Sequence, residues 1–98
     1  MLSIPDLIVK YADVYNVEAS AALAIARCES NYRSDVYGDN GLAYGVFQFH
    51  RDTFDMFAKK FGGDWDYFNT EDNVHLAIRM FAIGEWNHWT CYSRLTAL

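Results

Sequence analysis

Apolar residues fall into stretches of helical period separated by short polar breaks. Ser3 precedes Pro5 and Asp6, an N-cap followed by a first-turn proline and an acid that the helix dipole favours. Ile4, Leu7, Ile8, Tyr11 and Tyr15 form one stripe, which predicts a helix ending near Tyr15 and Asn16. A second helix is expected from Glu18, where alanine-rich composition favours it. In it Ala22, Ile25, Ala26 and Glu29 stand at i, i+3, i+4 and i+7, so a carboxyl projects from a stripe of small apolar residues. Residues 31–44, with Asn31, Ser34, Gly38, Asp39, Asn40 and Gly41, read as mostly loop. Gly45 to Phe49 is apolar and β-leaning and predicts a short strand or an extended link.

Helical pattern resumes over Arg51 to Phe61, with Phe54, Phe57 and Ala58 as its apolar stripe and Gly62-Gly63 as its stop. An aromatic loop follows to Asn69. Thr70 is the expected cap of the next helix, with Glu71 and Asp72 in its first turn and Val74, Ala77, Ile78 and Phe81 on one face. The aromatic segment Trp86 to Tyr92 predicts an irregular turn and a short helix. The fold class expected is mainly α, a compact helical domain with at most a small β element.

Composition narrows this picture. A chain of 98 residues, 52% hydrophobic and 17% aromatic, suits one domain over residues 1–98 and is too apolar for disorder. The net charge of −5 argues against nucleic acid as a partner, because that affinity rests on Lys and Arg contacts to phosphates. Arg51, Lys59 and Lys60 form one modest basic cluster, which reads as a solvated helix face. No apolar run has the length of a membrane span. Met1 to Val9 lacks a basic n-region and carries Asp6, so it does not read as a signal peptide; export would need a sequence outside this chain or a larger parent protein. Cys28 and Cys91 allow one intramolecular pairing, and the sequence leaves a bridge and two buried thiols both open.

Candidate chemistry concentrates at Glu29. A carboxylate in the last turn of a helix is opposed by the macrodipole, a cost that points to another use. A carboxyl beside an apolar wall also keeps its proton towards neutral pH. The competing reading is a helix-end glutamate paired with Arg27 or Arg33. Asp35 and Asp39 suggest a calcium loop, but Tyr37 and Asn40 break the EF-hand pattern. His50, His75 and His88 lack zinc spacing with the cysteines and read as surface or core residues. Ser30 has no histidine at a recognisable triad position, so a nucleophilic role is unsupported.

Ala24-Ile25-Ala26-Arg27-Cys28-Glu29-Ser30, followed by Gly41 and then Gly45-Val46-Phe47-Gln48, resembles the lysozyme-like family of lytic transglycosylases (the soluble-lytic-transglycosylase catalytic domain), related to goose-type lysozymes. Asp72-Asn73-Val74 and the helix after it look like a third element of that pattern, and the resemblance covers roughly residues 4 to 90. It implies Glu29 as catalytic acid/base, Ser30 as the serine beside it, and Gln48 as the glutamine lining a sugar cleft. Gly41 and Gly45 match glycines of the substrate-facing loop. The implied substrate is the glycan strand of peptidoglycan, and the implied location is extracytoplasmic: periplasm, cell surface or phage particle. No cofactor and no metal is expected.

The chain departs from the family pattern where a tyrosine supports the catalytic carboxyl: Phe81 to Asn87 supplies none, which leaves Tyr44, Tyr32, Tyr92 or no residue for that place. The candidate substrate-binding residues are thus Ser30, Gln48, Tyr44, Gly45 and Asp39, around Glu29. A transglycosylase needs no second carboxylate. A hydrolytic muramidase would draw one from Asp35, Asp39 or Asp52, with Asp39 ahead. Gln48 has a competing reading as a backbone cap within its loop, and Trp86 and Trp89 as core or clamp residues rather than sugar platforms. Two non-enzymatic readings stand beside these: a peptidoglycan-binding module of a cell-wall or phage-tail assembly, and a helical interaction domain.

Overall fold

The computed structural model describes residues 2–96. Five α-helices lie among them: α1 (Ile4–Tyr15), α2 (Ala19–Ser30), α3 (Arg51–Phe61), α4 (Thr70–Ala82) and α5 (Thr90–Thr96). A small antiparallel sheet in the order β1 (Tyr37–Gly38), β2 (Ala43–Tyr44) and β3 (Phe49–His50) separates α2 from α3. The fold is therefore the mainly α, lysozyme-like arrangement that the periodicity and the resemblance lead one to expect.

Helix limits follow local chemistry. Ser3 Oγ accepts from the Asp6 N–H at 3.2 Å and starts α1, which Asn16 ends in the left-handed conformation. Asn31, also left-handed, ends α2 immediately after Glu29 and Ser30. Gly62 ends α3. The cap of α4 differs from expectation. Asn69, not Thr70, precedes the helix, and its side chain accepts from the Asp72 N–H at 2.9 Å. Thr70 is the first helical residue. Asn ranks above Thr as a cap, and one residue of displacement puts Asp72 at the third helical position, where its amide is the one to be satisfied.

α4 is the axis of the core. Val74, Leu76, Ala77, Ile78 and Met80 are fully buried on it. α1 brings Leu7, Ile8 and Ala12 to the core, α2 brings Ala22, Ile25 and Ala26, and α3 brings Phe54 and Phe57. Fully burying an Ile or Leu side chain contributes roughly 1.5–3 kcal/mol, and Val46, Phe47 and Phe49 of the sheet region join the same core.

Residues 31–50 carry more structure than the expected loop and strand. Residues 45–48 are a turn, and of the predicted strand only Phe49 is extended, paired with Tyr44. Gly45 at φ 86° and Gln48 at φ 51° are left-handed, which a strand does not allow. Asn73, 1% exposed, fastens this turn to α4: its Oδ1 accepts from the Phe47 N–H at 2.9 Å and its Nδ2 donates to the Tyr44 carbonyl at 3.1 Å. Gly45 has no room for a side chain, since a Cβ there would lie 2.4 Å from Asn73 Nδ2.

The C-terminal segment is tied back at two points. Cys28 and Cys91 form a disulfide across a sequence separation of 63, with their Cα atoms 6.1 Å apart. Trp89 Nε1 donates to the Phe47 carbonyl at 2.9 Å. Trp86 stacks on Phe81, ring centres 4.1 Å apart, and Trp89 is buried among aromatic rings, so both indoles act as clamps.

Candidate active site

Three segments meet around a cavity of about 410 Å³. The end of α2 contributes Glu29. The hairpin contributes Gly38, Asp39, Ala43, Gln48 and His50. The segment leading into α5 contributes His88, Trp89 and Thr90. Six of these nine residues carry polar side chains, a lining suited to a hydroxyl-rich ligand.

Glu29 is half-buried, and burial raises its pKa above the ordinary carboxyl value. A hydrogen bond from the Cys91 backbone N–H and the positive charge of Arg94 act the other way and only partly offset this. Among the described residues no ion pair joins Glu29 to Arg27 or Arg33: Arg27 is exposed, and Arg33 Nε donates to the Ser30 carbonyl at 3.4 Å. A carboxyl that holds its proton towards neutrality, beside a polar cavity, is chemically a proton donor.

Gln48 lies across the floor of the hairpin. Its Nε2 donates to the carbonyls of Val36, at 3.0 Å, and Gly45, at 2.8 Å. The backbone-capping reading and the cavity-lining reading thus describe one side chain. Both donors are engaged, which leaves Oε1 as an acceptor. A Cβ at Gly38 would come within 2.2 Å of that oxygen, so a larger residue there would have to displace the Gln48 amide. Asp39 pairs with His50 Nε2 at 2.8 Å on the cavity rim. Asp39 and Asn40 are both left-handed, in a turn of 3₁₀ type over Asp39–Gly41.

Three of the other candidate residues lie elsewhere. Ser30 is 5% exposed, and its hydroxyl donates to the Ala26 carbonyl at 3.3 Å, so it faces the core rather than the cavity. Tyr44 lies on the outer side of the hairpin, because side chains alternate along a strand and its neighbour Ala43 faces in. There its ring meets Tyr37, Tyr67 and Phe68. Gly45 is buried against Asn73 and acts through its carbonyl on Gln48. Tyr32 donates to the Leu23 carbonyl at 3.1 Å, and Tyr92 stacks on Trp86.

Sequence reasoning missed Gly38, His50, His88 and Thr90 as lining residues. The pairing of Cys28 with Cys91 was the available signal, because it brings residues 88–91 beside Glu29.

The family model for the transglycosylase SLT domain matches residues 6–92. The chain belongs to that family. Neither a curated protein nor a solved structure matches it. SLT domains act on peptidoglycan with lytic transglycosylase-type chemistry, which implies action outside the cytoplasm. Among the described residues of this SLT domain, no helix is long and apolar enough to cross a membrane.

Proposed function

We propose that this SLT domain cleaves the β-1,4 bond between N-acetylmuramic acid and N-acetylglucosamine in peptidoglycan, with Glu29 as the single acid/base. The observation that carries this reading is the half-buried Glu29 carboxyl, its pKa raised by burial, on the wall of a polar cavity. Protonated Glu29 donates to the glycosidic oxygen as the bond to the anomeric carbon breaks, so the leaving sugar departs as an alcohol. The 6-hydroxyl of the muramic acid attacks the anomeric carbon, and the Glu29 carboxylate takes the hydroxyl proton. The product is a 1,6-anhydro sugar. Glu29 ends protonated, and neither water nor a second carboxylate takes part.

Gln48 supports substrate positioning, with Oε1 as acceptor for a sugar N–H or hydroxyl. Turnover needs the protonated carboxyl, so it falls as pH rises through the raised pKa of Glu29. A second reading, a hydrolytic muramidase, is favoured by Asp39, a carboxylate on the same cavity. Mass spectrometry of muropeptides released from purified peptidoglycan decides between them. Anhydro-muropeptides are expected; reducing ends would replace the first reading with the second, and binding without products would overturn both.

A further inference from the structure

The outer face of the hairpin has no part in the chemistry above. Scattered apolar side chains on a surface need no explanation, but a patch of exposed aromatic rings marks a place of contact. Among the described residues, two Phe, Tyr or Trp side chains are more than half exposed: Tyr37 at 63% and Phe68 at 54%. Both stand against the same ring. Tyr44 meets Tyr37 with 4.8 Å between centres and Phe68 with 5.2 Å, and the buried Tyr67 lies 5.8 Å away. Arg51 lays its guanidinium over Tyr67 and Phe68, 4.9 and 5.9 Å from their centres. None of these five residues lines the cavity.

The patch is held in place by the fold. Tyr37 pairs with Tyr44 across β1 and β2. The Tyr67 hydroxyl donates to the Phe49 carbonyl. The Phe68 N–H donates to Asp66 Oδ1 at 2.9 Å, and the Asp66 N–H donates to Asp72 Oδ2 on α4, also at 2.9 Å. Rings fixed in this way lose little freedom when a ligand arrives. Their chemistry suits a sugar. The negative face of an aromatic ring attracts the polarised C–H groups on the flat side of a pyranose. The Tyr37 hydroxyl and the Arg51 guanidinium bring hydrogen-bonding groups for its hydroxyl rim. Nucleic acid, another polymer that stacks on such rings, is disfavoured by the net charge of −5.

We propose that Tyr37, Tyr44 and Phe68 form a second, non-catalytic sugar-binding surface, which holds a glycan strand of peptidoglycan against the reverse side of the wall that carries Gln48. The choice of ligand rests on the peptidoglycan reading, but the surface itself is testable without turnover. Strand geometry accounts for its place: Gly38 and Ala43 line the cavity, and Tyr37 and Tyr44, one residue away, face outward. The cavity receives only a short stretch of a polymer. A second contact on the same insoluble material keeps the domain beside its next bond.

Tyr37→Leu combined with Phe68→Leu removes the two exposed rings and keeps apolar bulk, at surface positions that tolerate change. In a Glu29→Gln background, co-sedimentation with insoluble peptidoglycan is expected to weaken about tenfold in this double variant. A soluble β-1,4-linked N-acetylglucosamine oligomer is expected to shift the nuclear magnetic resonance signals of the Tyr37 and Phe68 rings as well as those of cavity residues. With Glu29 in place, the double variant is expected to turn over short soluble glycan fragments within about twofold of the parent rate and to lose about tenfold on insoluble peptidoglycan.

Double-variant binding equal to the parent's overturns the proposal, and so does an oligomer that moves neither ring signal. Loss of a dimer in the double variant, with sugar binding unchanged, gives the face to a second copy of the chain and overturns it as well. Should the double variant fail to melt cooperatively, Tyr37→Leu alone and the oligomer titration of the parent decide on the same terms. Weakened binding in the double variant, beside a parent that releases no muropeptides, contradicts the enzymatic reading and leaves the surface standing.

Discussion

The two walls of the cavity are built by opposite means. The hairpin wall has strands of two residues each and is held by side-chain amides: Gln48 on two carbonyls within the hairpin, Asn73 on a carbonyl and an N–H from α4. The C-terminal wall is held by a covalent bond, an indole hydrogen bond and the packing of Trp86 and Trp89 on Phe81. Short strands cannot stabilise themselves, so the hairpin depends on every buried partner being present. The C-terminal wall carries the one covalent link, and Cys28 of that link directly precedes the acid. The hairpin contributes Asp39, Gln48 and His50 to the cavity, while the C-terminal wall contributes His88, Trp89 and Thr90 beside the carboxyl.

Removing the bridge tests the second wall and carries the largest expected effect. Cys28→Ser with Cys91→Ser frees a closed loop of 63 residues in sequence separation, worth about 4 kcal/mol by the chain-entropy relation. Urea unfolding measures it; a loss below about 1 kcal/mol would mean that α5 docks without its link. Asn73→Ala tests the first wall. It leaves the Phe47 N–H and the Tyr44 carbonyl buried without their partner, a cost of about 2–4 kcal/mol, with turnover falling alongside as Gln48 loses its seat. Gly38→Ala is expected to cost about 1–2 kcal/mol, because the new methyl displaces a Gln48 amide already committed to two carbonyls. An unchanged melting temperature there would show that Gln48 moves freely. Tyr44→Phe is expected to do least, under about 0.5 kcal/mol with unaltered turnover, since its ring lies outside the cavity. A tenfold loss of turnover would return Tyr44 to the substrate-facing side.

The same contrast explains how much could be read in advance. The helical body was legible because its apolar residues repeat at helical spacing and its ends carry Ser3, Asn16, Asn31 and Gly62. Glu29 and Gln48 were legible through the resemblance, and Glu29 also through its unfavourable place at a helix end. The hairpin was not, because strands of two residues leave no alternation to detect and the residue that secures them, Asn73, lies 26 positions beyond Phe47. The preference for glycine at position 38 likewise comes from a side chain ten residues away, not from backbone sign. Ser30 and Tyr44 are neighbours in sequence of cavity residues, and on a helix or a strand adjacent residues face different ways. The C-terminal wall became legible only with the disulfide, which two cysteines permit but do not dictate.

Turnover of Glu29→Gln beside its binding to insoluble peptidoglycan tests the central claim most directly. Gln keeps the shape of the side chain and an acceptor for the Cys91 amide, and removes only the proton that is given and taken. Binding is expected to persist while release of muropeptides falls by about 10²–10⁴-fold, the usual contribution of a positioned general acid/base. Release at the wild-type rate from folded Glu29→Gln protein would contradict the account.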